Sequence, residues 1–379
     1  VSLRRIVVDE NVPMALEAFG SLGVVELVAG RKIAPSLLRE ADALIVRSIT
    51  KVDAALLTGS KVAAVGTCTI GTDHLDIPWL ESQGIRWSSA PGCNARSVGE
   101  HVIASLCHLH ATGRFSLAKS PTVGIVGLGN TGAALTEICR TLGWTVLACD
   151  PPREAREGSA GFHSLEELVA VCDVLSFHVP LIRSGAHPTF RMAGAELLSG
   201  LKPGAVLVNA ARGPVLDPQA LLALRAARPD LSIVLDVFDP EPAFPLAMTG
   251  VADLLSPHVA GYSLEGKIEG TRRIRNWLGS LWNEGSWVPD EVEPRVLPLP
   301  KGGDDPWEMF VQMVLSVHDP KGDDGWMREI ALLDEAARGP AFDRLRKEYP
   351  VRREWGSVRW EGAVLKNAHE PLKAVGFSL

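Results

Sequence analysis

Arg212, Glu241 and His258 lie in three separate clusters, Val208 to Gly213, Asp236 to Pro242 and Ser256 to Tyr262, and their types add up to one reaction. An arginine presents a planar fork of donors that suits a carboxylate and a neighbouring oxygen. A neutral histidine takes a hydroxyl proton, and a carboxylate on its other ring nitrogen fixes the tautomer and stabilises the imidazolium that forms. That is the equipment for oxidising a hydroxyl-bearing carbon beside a carboxylate. Each residue also has a plain structural reading: Arg212 ending a strand, Glu241 capping a turn before Pro242, and His258 sitting in a core. Their order behind a dinucleotide fingerprint favours the chemical reading.

The fingerprint is Gly127-x-Gly129-x-x-Gly132, between the apolar run Thr122 to Val126 and the helical pattern Ala133 to Cys139. Glycines at these positions allow a tight strand-to-helix turn and close approach of a pyrophosphate to a helix N-terminus. The next apolar run, Thr145 to Cys149, ends at Asp150. A carboxylate there accepts hydrogen bonds from ribose hydroxyls and repels a 2′-phosphate, so the cofactor is expected to be NAD. Arg153 is the counter-argument, because an arginine beside the acid suits the extra phosphate.

Strand and helix patterns alternate around these residues. Arg5 to Asp9, Ala43 to Arg47 and Val62 to Val65 read as strands, with a helix over Met14 to Leu22. A long helix is predicted around Val98 to Leu106, able to bridge two domains. The strand rhythm then restarts at Thr122 and continues through Val171 to Phe177, Ala205 to Asn209, Ile233 to Val237 and Asp253 to Ser256. Counting Thr145 to Cys149, this makes a six-stranded doubly wound sheet, whose ligands bind beyond the carboxyl ends of its strands.

Composition agrees with a globular protein: 379 residues, 46% hydrophobic, 22% charged, net charge −7. With both signs interspersed and no basic tail, neither a nucleic-acid footprint nor a membrane-surface patch is expected. The N-terminus runs straight into a strand pattern, and a cytoplasmic protein is expected. Six cysteines without C-x-x-C spacing suit reduced thiols, Cys93 being a candidate reactive thiol. His101, Cys107, His108 and His110 match no zinc spacing, so no metal is expected.

The fingerprint with Asp150, followed by Arg212, Glu241 and His258, resembles the D-isomer specific 2-hydroxyacid dehydrogenases over residues 1–290. Asp9 to Pro13, Ile45 to Lys51, Val65 to His74, Ser89 to Asn94, Cys149 to Arg153 and His258 to Lys267 resemble a branch acting on a phosphorylated hydroxy acid. Phe342 to Glu354 and Leu372 to Phe377 are similar to that branch's C-terminal dimerisation domain. The resemblance implies an α/β chain with three parts: a flavodoxin-like substrate domain (1–94 and 262–290), a Rossmann-type NAD domain (95–261), and a small α+β dimerisation domain (291–379). It implies that Ser48, Thr69 and Tyr262 bind substrate, and that Asp150, His178, Val179, Ala210, Ala211, Asp236 and Gly261 line the NAD site. Arg47 is the nearest candidate for the substrate phosphate, with Arg344, Arg346, Arg352 or Arg353 as candidates from a partner subunit. Domain closure near Asn94 and Tyr262 is expected to exclude water. Cys68 and Pro214 depart from the family pattern, and Pro214 puts in doubt whichever contact an amide makes there.

Pro294, Pro298 and Pro300 followed by Gly302 to Asp305 read as a linker. Beyond and just before it, Trp277, Trp282, Trp287, Trp307, Trp326, Trp355 and Trp360 hold seven of ten tryptophans. That enrichment favours a subunit interface, hence a homodimer, with an internal core as the alternative. Two other functions stay open: another dehydrogenase of this fold, such as one acting on phosphoglycerate, and an NAD-sensing regulator. The complete Arg212, Glu241 and His258 set argues against the regulator.

Overall fold

Short strands that are apolar on both faces dominate the chain, because helices cover each parallel sheet on both sides. The structure, a computed structural model, describes residues 3–117, 120–300, 305–362 and 372–378. The chain divides into two compact units: Val1–Asn94 with Tyr262–Glu293, and Ala95–Gly261 with Pro294–Leu379.

The first unit carries five parallel strands, β1 (Arg5–Asp9), β2 (Val24–Val28), β3 (Ala43–Val46), β4 (Ala64–Thr67) and β5 (Arg86–Ser88), in the order β2-β1-β3-β4-β5. This is the flavodoxin-like order. β1 is read to the residue from the sequence, whereas the helix predicted over Met14 to Leu22 is shorter, Ala15–Phe19. β2 and β5 are edge strands that the apolar pattern does not announce. β2 is largely exposed and holds Glu26 against Arg5 of β1. The helix Leu264–Leu281 packs on β4, where Ile274 leaves no room for a side chain at Gly66.

The second unit carries β6 (Thr122–Val126), β7 (Thr145–Cys149), β8 (Val174–Phe177), β9 (Val206–Asn209), β10 (Ser232–Leu235) and β11 (Leu254–Leu255). All six are parallel, in the order β11-β10-β9-β8-β6-β7. The sheet direction therefore switches beside β6, where ligands bind in doubly wound folds. The long predicted helix is Ala95–Ala111.

The C-terminal segment does not stand apart. Met309, Phe310, Val311, Met313, Val314 and Val317 from the helix Pro306–Val317 share one core with Val102, Leu106 and Leu109 of the Ala95–Ala111 helix. Trp355 stacks on Phe377 at 5.0 Å in the same core, and its amide donates to the Glu100 carboxylate. Six of the seven tryptophans counted above pack within the chain, three in each unit. The tryptophan enrichment therefore reports intrachain cores, and Trp326 is the exposed exception. The predicted linker holds a strand, β12 (Arg295–Pro298), which pairs with β13 (Val358–Glu361). A two-stranded sheet has only edges, so Pro298 at the strand's end costs no interior bond. Gly302 to Asp304 lie outside the described residues.

If this core is shared, Phe310→Ala should destabilise the folded chain by about 3–5 kcal/mol, the usual cost of emptying a buried aromatic site. Urea denaturation reads this directly. A loss below about 1 kcal/mol would show that the C-terminal helix contributes little to the nucleotide unit.

Candidate functional site

The three fingerprint glycines have three different reasons to be glycine. Gly127 turns at φ 91°, and a Cβ there would meet Val179 Cγ1 at 2.7 Å. Gly132 lies so close to the Gly127 carbonyl that a Cβ would sit 2.1 Å from it, which lets the helix Asn130–Thr141 pack tightly on β6. A Cβ at Gly129 would meet nothing within 4 Å. That open space at a helix N-terminus fits the close approach of a pyrophosphate. Asp150, at the end of β7, accepts from the Leu128 amide at 2.8 Å and the Arg153 amide at 2.9 Å. The acid is thereby tied to the glycine turn. The Arg153 side chain donates to the Leu128 carbonyl and to Glu157, so its guanidinium is committed to the protein.

His178, just past β8, is buried, and burial lowers its ring to about 4, so it is neutral. Its Nε2 meets Ser176 Oγ at 2.8 Å. Val179 packs over Gly127, and the Ala211 amide donates to Asn209 Oδ1, which shapes the half-buried turn Ala210 to Arg212.

Arg212, Glu241 and His258 follow three adjacent strands whose last residues are in register. Asn209 pairs with Leu235, and Leu235 with Leu255. The loops therefore leave one edge of the sheet side by side. Gly213 joins the first two: a Cβ there would sit 1.9 Å from the Phe238 carbonyl. Pro214 occupies the first turn of the short 3-10 helix Gly213–Val215, where its missing N–H has no intrahelical role.

Glu241 uses both carboxylate oxygens. Oε1 accepts from the Phe238 amide at 2.8 Å and Oε2 meets His258 Nδ1 at 2.8 Å. Burial pushes this carboxyl up, but His258, Arg346 and the Phe238 amide outweigh it and hold it below its ordinary range. An ionised Glu241 accepts from Nδ1–H, leaving Nε2 as the proton acceptor. Arg346 thus stands close enough to stabilise Glu241 of its own chain, a role that sequence spacing does not reveal.

His258 sits at φ 57°, rare for a side chain of its size. The buried Asp236 is central to that turn: its carbonyl accepts the His258 amide at 2.8 Å, and its carboxylate accepts Val259 N at 2.8 Å, Ala260 N at 3.0 Å and Ser256 Oγ at 2.6 Å. Asp236 holds the His258 turn from beneath, while half-buried Gly261 closes it. Arg352, expected as a phosphate contact from a partner, is 6% exposed, and its guanidinium is occupied by Ser97, Val259 and Ala260 of its own chain. Arg353 is similarly buried.

In the first unit, Arg47 stands 5.2 Å from the Tyr262 ring centroid and Lys267 Nζ stands 4.5 Å from it. Lys267 belongs to the first turns of the Leu264–Leu281 helix and adds a cation that the sequence reading assigned no role. Its signal is its place five residues past Tyr262, in the first turn of that helix. Ser48 is exposed, and Thr69 Oγ1 lies 2.8 Å from Thr67 Oγ1.

Cys93 is buried and its thiol is pushed up to about 12, which makes it unreactive. Burial raises the Cys68 thiol further. Among the described residues, one cluster has metal-ligand types: His101, His318 and Asp323. Hydrogen bonds already engage its members: His101 Nδ1 meets His318 Nε2 at 3.1 Å, and the hydroxyl of Tyr349 outside the cluster donates to the Asp323 carboxylate at 2.8 Å.

Comparison with known proteins bears on the family and the fold. Residues 109–260 match the family model for the D-isomer specific 2-hydroxyacid dehydrogenase NAD binding domain, and residues 299–376 match a domain of unknown function. Erythronate-4-phosphate dehydrogenase of Azotobacter vinelandii is 45% identical over 94% of both chains. The Pseudomonas aeruginosa enzyme of the same name is 43% identical over 99% of this chain and 100% of its own. Among solved structures, NAD-bound 3-phosphoglycerate dehydrogenase of Entamoeba histolytica has a TM-score of 0.64 at 23% identity, covering 76% of this chain and 97% of its own. D-lactate dehydrogenase of Aquifex aeolicus, with NAD and lactic acid, has a TM-score of 0.59 at 22% identity, covering 74% and 96%. Both structures share the fold.

The glycines make a paired prediction. Gly129→Ala should leave the melting temperature nearly unchanged while weakening NAD binding by about tenfold or more, since the methyl enters the space a pyrophosphate needs. Gly132→Ala should lower both stability and NAD binding. Calorimetry and NAD titration separate the two, and equal NAD affinity in Gly129→Ala and the parent would remove the phosphate from this turn.

Proposed function

This chain belongs to the erythronate-4-phosphate dehydrogenases, within the D-isomer specific 2-hydroxyacid dehydrogenase family, and from that premise we propose that it oxidises 4-phospho-D-erythronate to 3-hydroxy-2-oxo-4-phosphooxybutanoate in pyridoxine (vitamin B6) biosynthesis. The observation that carries the chemistry is the His258 Nδ1 to Glu241 Oε2 contact at 2.8 Å, with the second carboxylate oxygen held by the Phe238 amide.

His258 Nε2 takes the C2 hydroxyl proton. Glu241 holds the ring in the tautomer that leaves this nitrogen free to accept, and stabilises the imidazolium that forms. Arg212 binds the carboxylate and the C2 oxygen, favouring charge that gathers on that oxygen. Bound NAD supplies the hydride acceptor, held by Gly127, Gly129 and Gly132 at its pyrophosphate and by Asp150 at its ribose, with His178, Val179, Ala210, Ala211, Asp236 and Gly261 along the site. Ser48, Thr69 and Tyr262 bind the substrate. Arg47 takes its phosphate, and Lys267 beside the same tyrosine is a second cation for it. The parts of the chain divide accordingly: residues 1–94 and 262–290 for substrate, 95–261 for NAD and 291–379 for dimerisation.

Turnover with 4-phospho-D-erythronate and NAD is the direct test. His258→Ala should lower kcat by about 10²-fold or more with NAD binding retained, the usual range for loss of a general base. Near-normal turnover of the variant would assign the base elsewhere.

We further infer a cytoplasmic homodimer. Six buried, unpaired cysteines support a reducing compartment, and no described helix is long and apolar enough to cross a membrane. Leu332, 87% exposed, with Val351, Leu333 and Trp326, gives the C-terminal segment apolar surface suited to a second copy. Leu332→Glu combined with Val351→Glu should halve the mass seen in sedimentation. An unchanged dimer mass would move the contact elsewhere, and a monomeric parent would overturn it.

A further inference from the structure

Val259 and Ala260, the two residues after His258, have every main-chain polar group engaged. Their amides go to the Asp236 carboxylate from one side. Their carbonyls go to a single guanidinium from the other: Arg352 Nη1 donates to the Val259 carbonyl at 3.2 Å, and Nη2 donates to the Ala260 carbonyl. Nη2 also reaches the Ser97 carbonyl at 3.2 Å and Ser97 Oγ, on the Ala95–Ala111 helix, and Ser97 Oγ in turn meets the Ala260 carbonyl at 3.1 Å. Arg352 and Asp236 are both buried, and both side chains of the clamped pair are buried as well.

A buried guanidinium that spends its donors on carbonyls is costly unless geometry requires it, since burying a charge is disfavoured and the return comes from charge-assisted hydrogen bonds. Here the return is positional. His258 holds a left-handed backbone conformation immediately before the clamped pair, and one donor fork fixes two consecutive carbonyls relative to Ser97. Lysine, a point charge with a single nitrogen, reproduces the charge but not the two-point grip.

We propose that Arg352 is a positioning residue for His258, by which the C-terminal segment sets the orientation of the catalytic imidazole in its own chain. This rests on the reading of His258 as the base. The matching control is Arg275 of the first unit, a buried arginine that donates to the Ala18 and Gly285 carbonyls and to Ser21, none of them assigned to the reaction.

The test compares Arg352→Lys with Arg275→Lys in the full-length protein. Arg352→Lys should lower kcat by about tenfold or more, with the KM for NAD within about twofold, because misplacing a base costs the transition state and not cofactor binding. Arg275→Lys should destabilise the chain to a similar degree with kcat retained. If Arg352→Lys does not fold, Ser97→Ala removes one anchor of the clamp and should lower kcat about threefold. In a His258→Gln background, the Arg352 substitution should have no further effect on residual turnover, since its role is exerted through the missing ring. Multiplicative losses in that background, or kcat within twofold of the parent for Arg352→Lys and Ser97→Ala, would overturn the proposal. Active His258→Ala would instead overturn the identity of the base, which keeps the two failures distinct.

Discussion

The carboxylate of Asp236 is the fixed point around which the residues proposed for the reaction are arranged. It is buried at the end of β10 and accepts two successive amides and a hydroxyl, so the turn carrying His258 is hung on it. Burial pushes its carboxyl up, while His258, Ser256 and the two amides pull against that rise. An unpaired carboxylate in this place would cost several kcal/mol, so the hydrogen bonds and the loop conformation stand or fall together. The neighbouring strand β9 leads to Arg212, and the loop that leaves β10 after Asp236 carries Glu241. Gly213 lets those two backbones touch, and the parallel register of β9, β10 and β11 delivers all three loops to one edge.

Much of this was legible in the sequence, for physical reasons. β1, β6 and β7 could be bounded to the residue because each is an apolar run closed by a charged or glycine turn. The convergence of the candidate residues is legible because parallel sheets gather loops at strand ends, so an arginine, a glutamate and a histidine just past successive apolar runs leave one edge together. Edge strands were harder. Val24–Val28 buries none of its residues fully and carries a glutamate, and Arg295–Pro298 is framed by prolines that read as a linker.

What sequence could not convey were contacts whose acceptor is the main chain. Arg352 looked like a free cation suited to phosphate because its partners are the carbonyls of Val259, Ala260 and Ser97, and a carbonyl has no letter. The tryptophans misled in a related way. Aromatic surplus in a short segment suits an interface, but an interface and a core are the same chemistry, and here the partner surface is a helix earlier in the same chain.

That shared core fixes a sequence of events in the making of the protein. The Ala95–Ala111 helix and the six-stranded sheet behind it are translated well before Phe310, Val314 and Trp355, which complete their packing. Until those residues leave the ribosome, the core around Val102, Leu106 and Leu109 is covered only by earlier parts such as Leu135 and Ile138. The nascent nucleotide unit therefore passes through an interval with its core incompletely covered, and the length of that exposure to aggregation depends on how fast the C-terminal segment is synthesised.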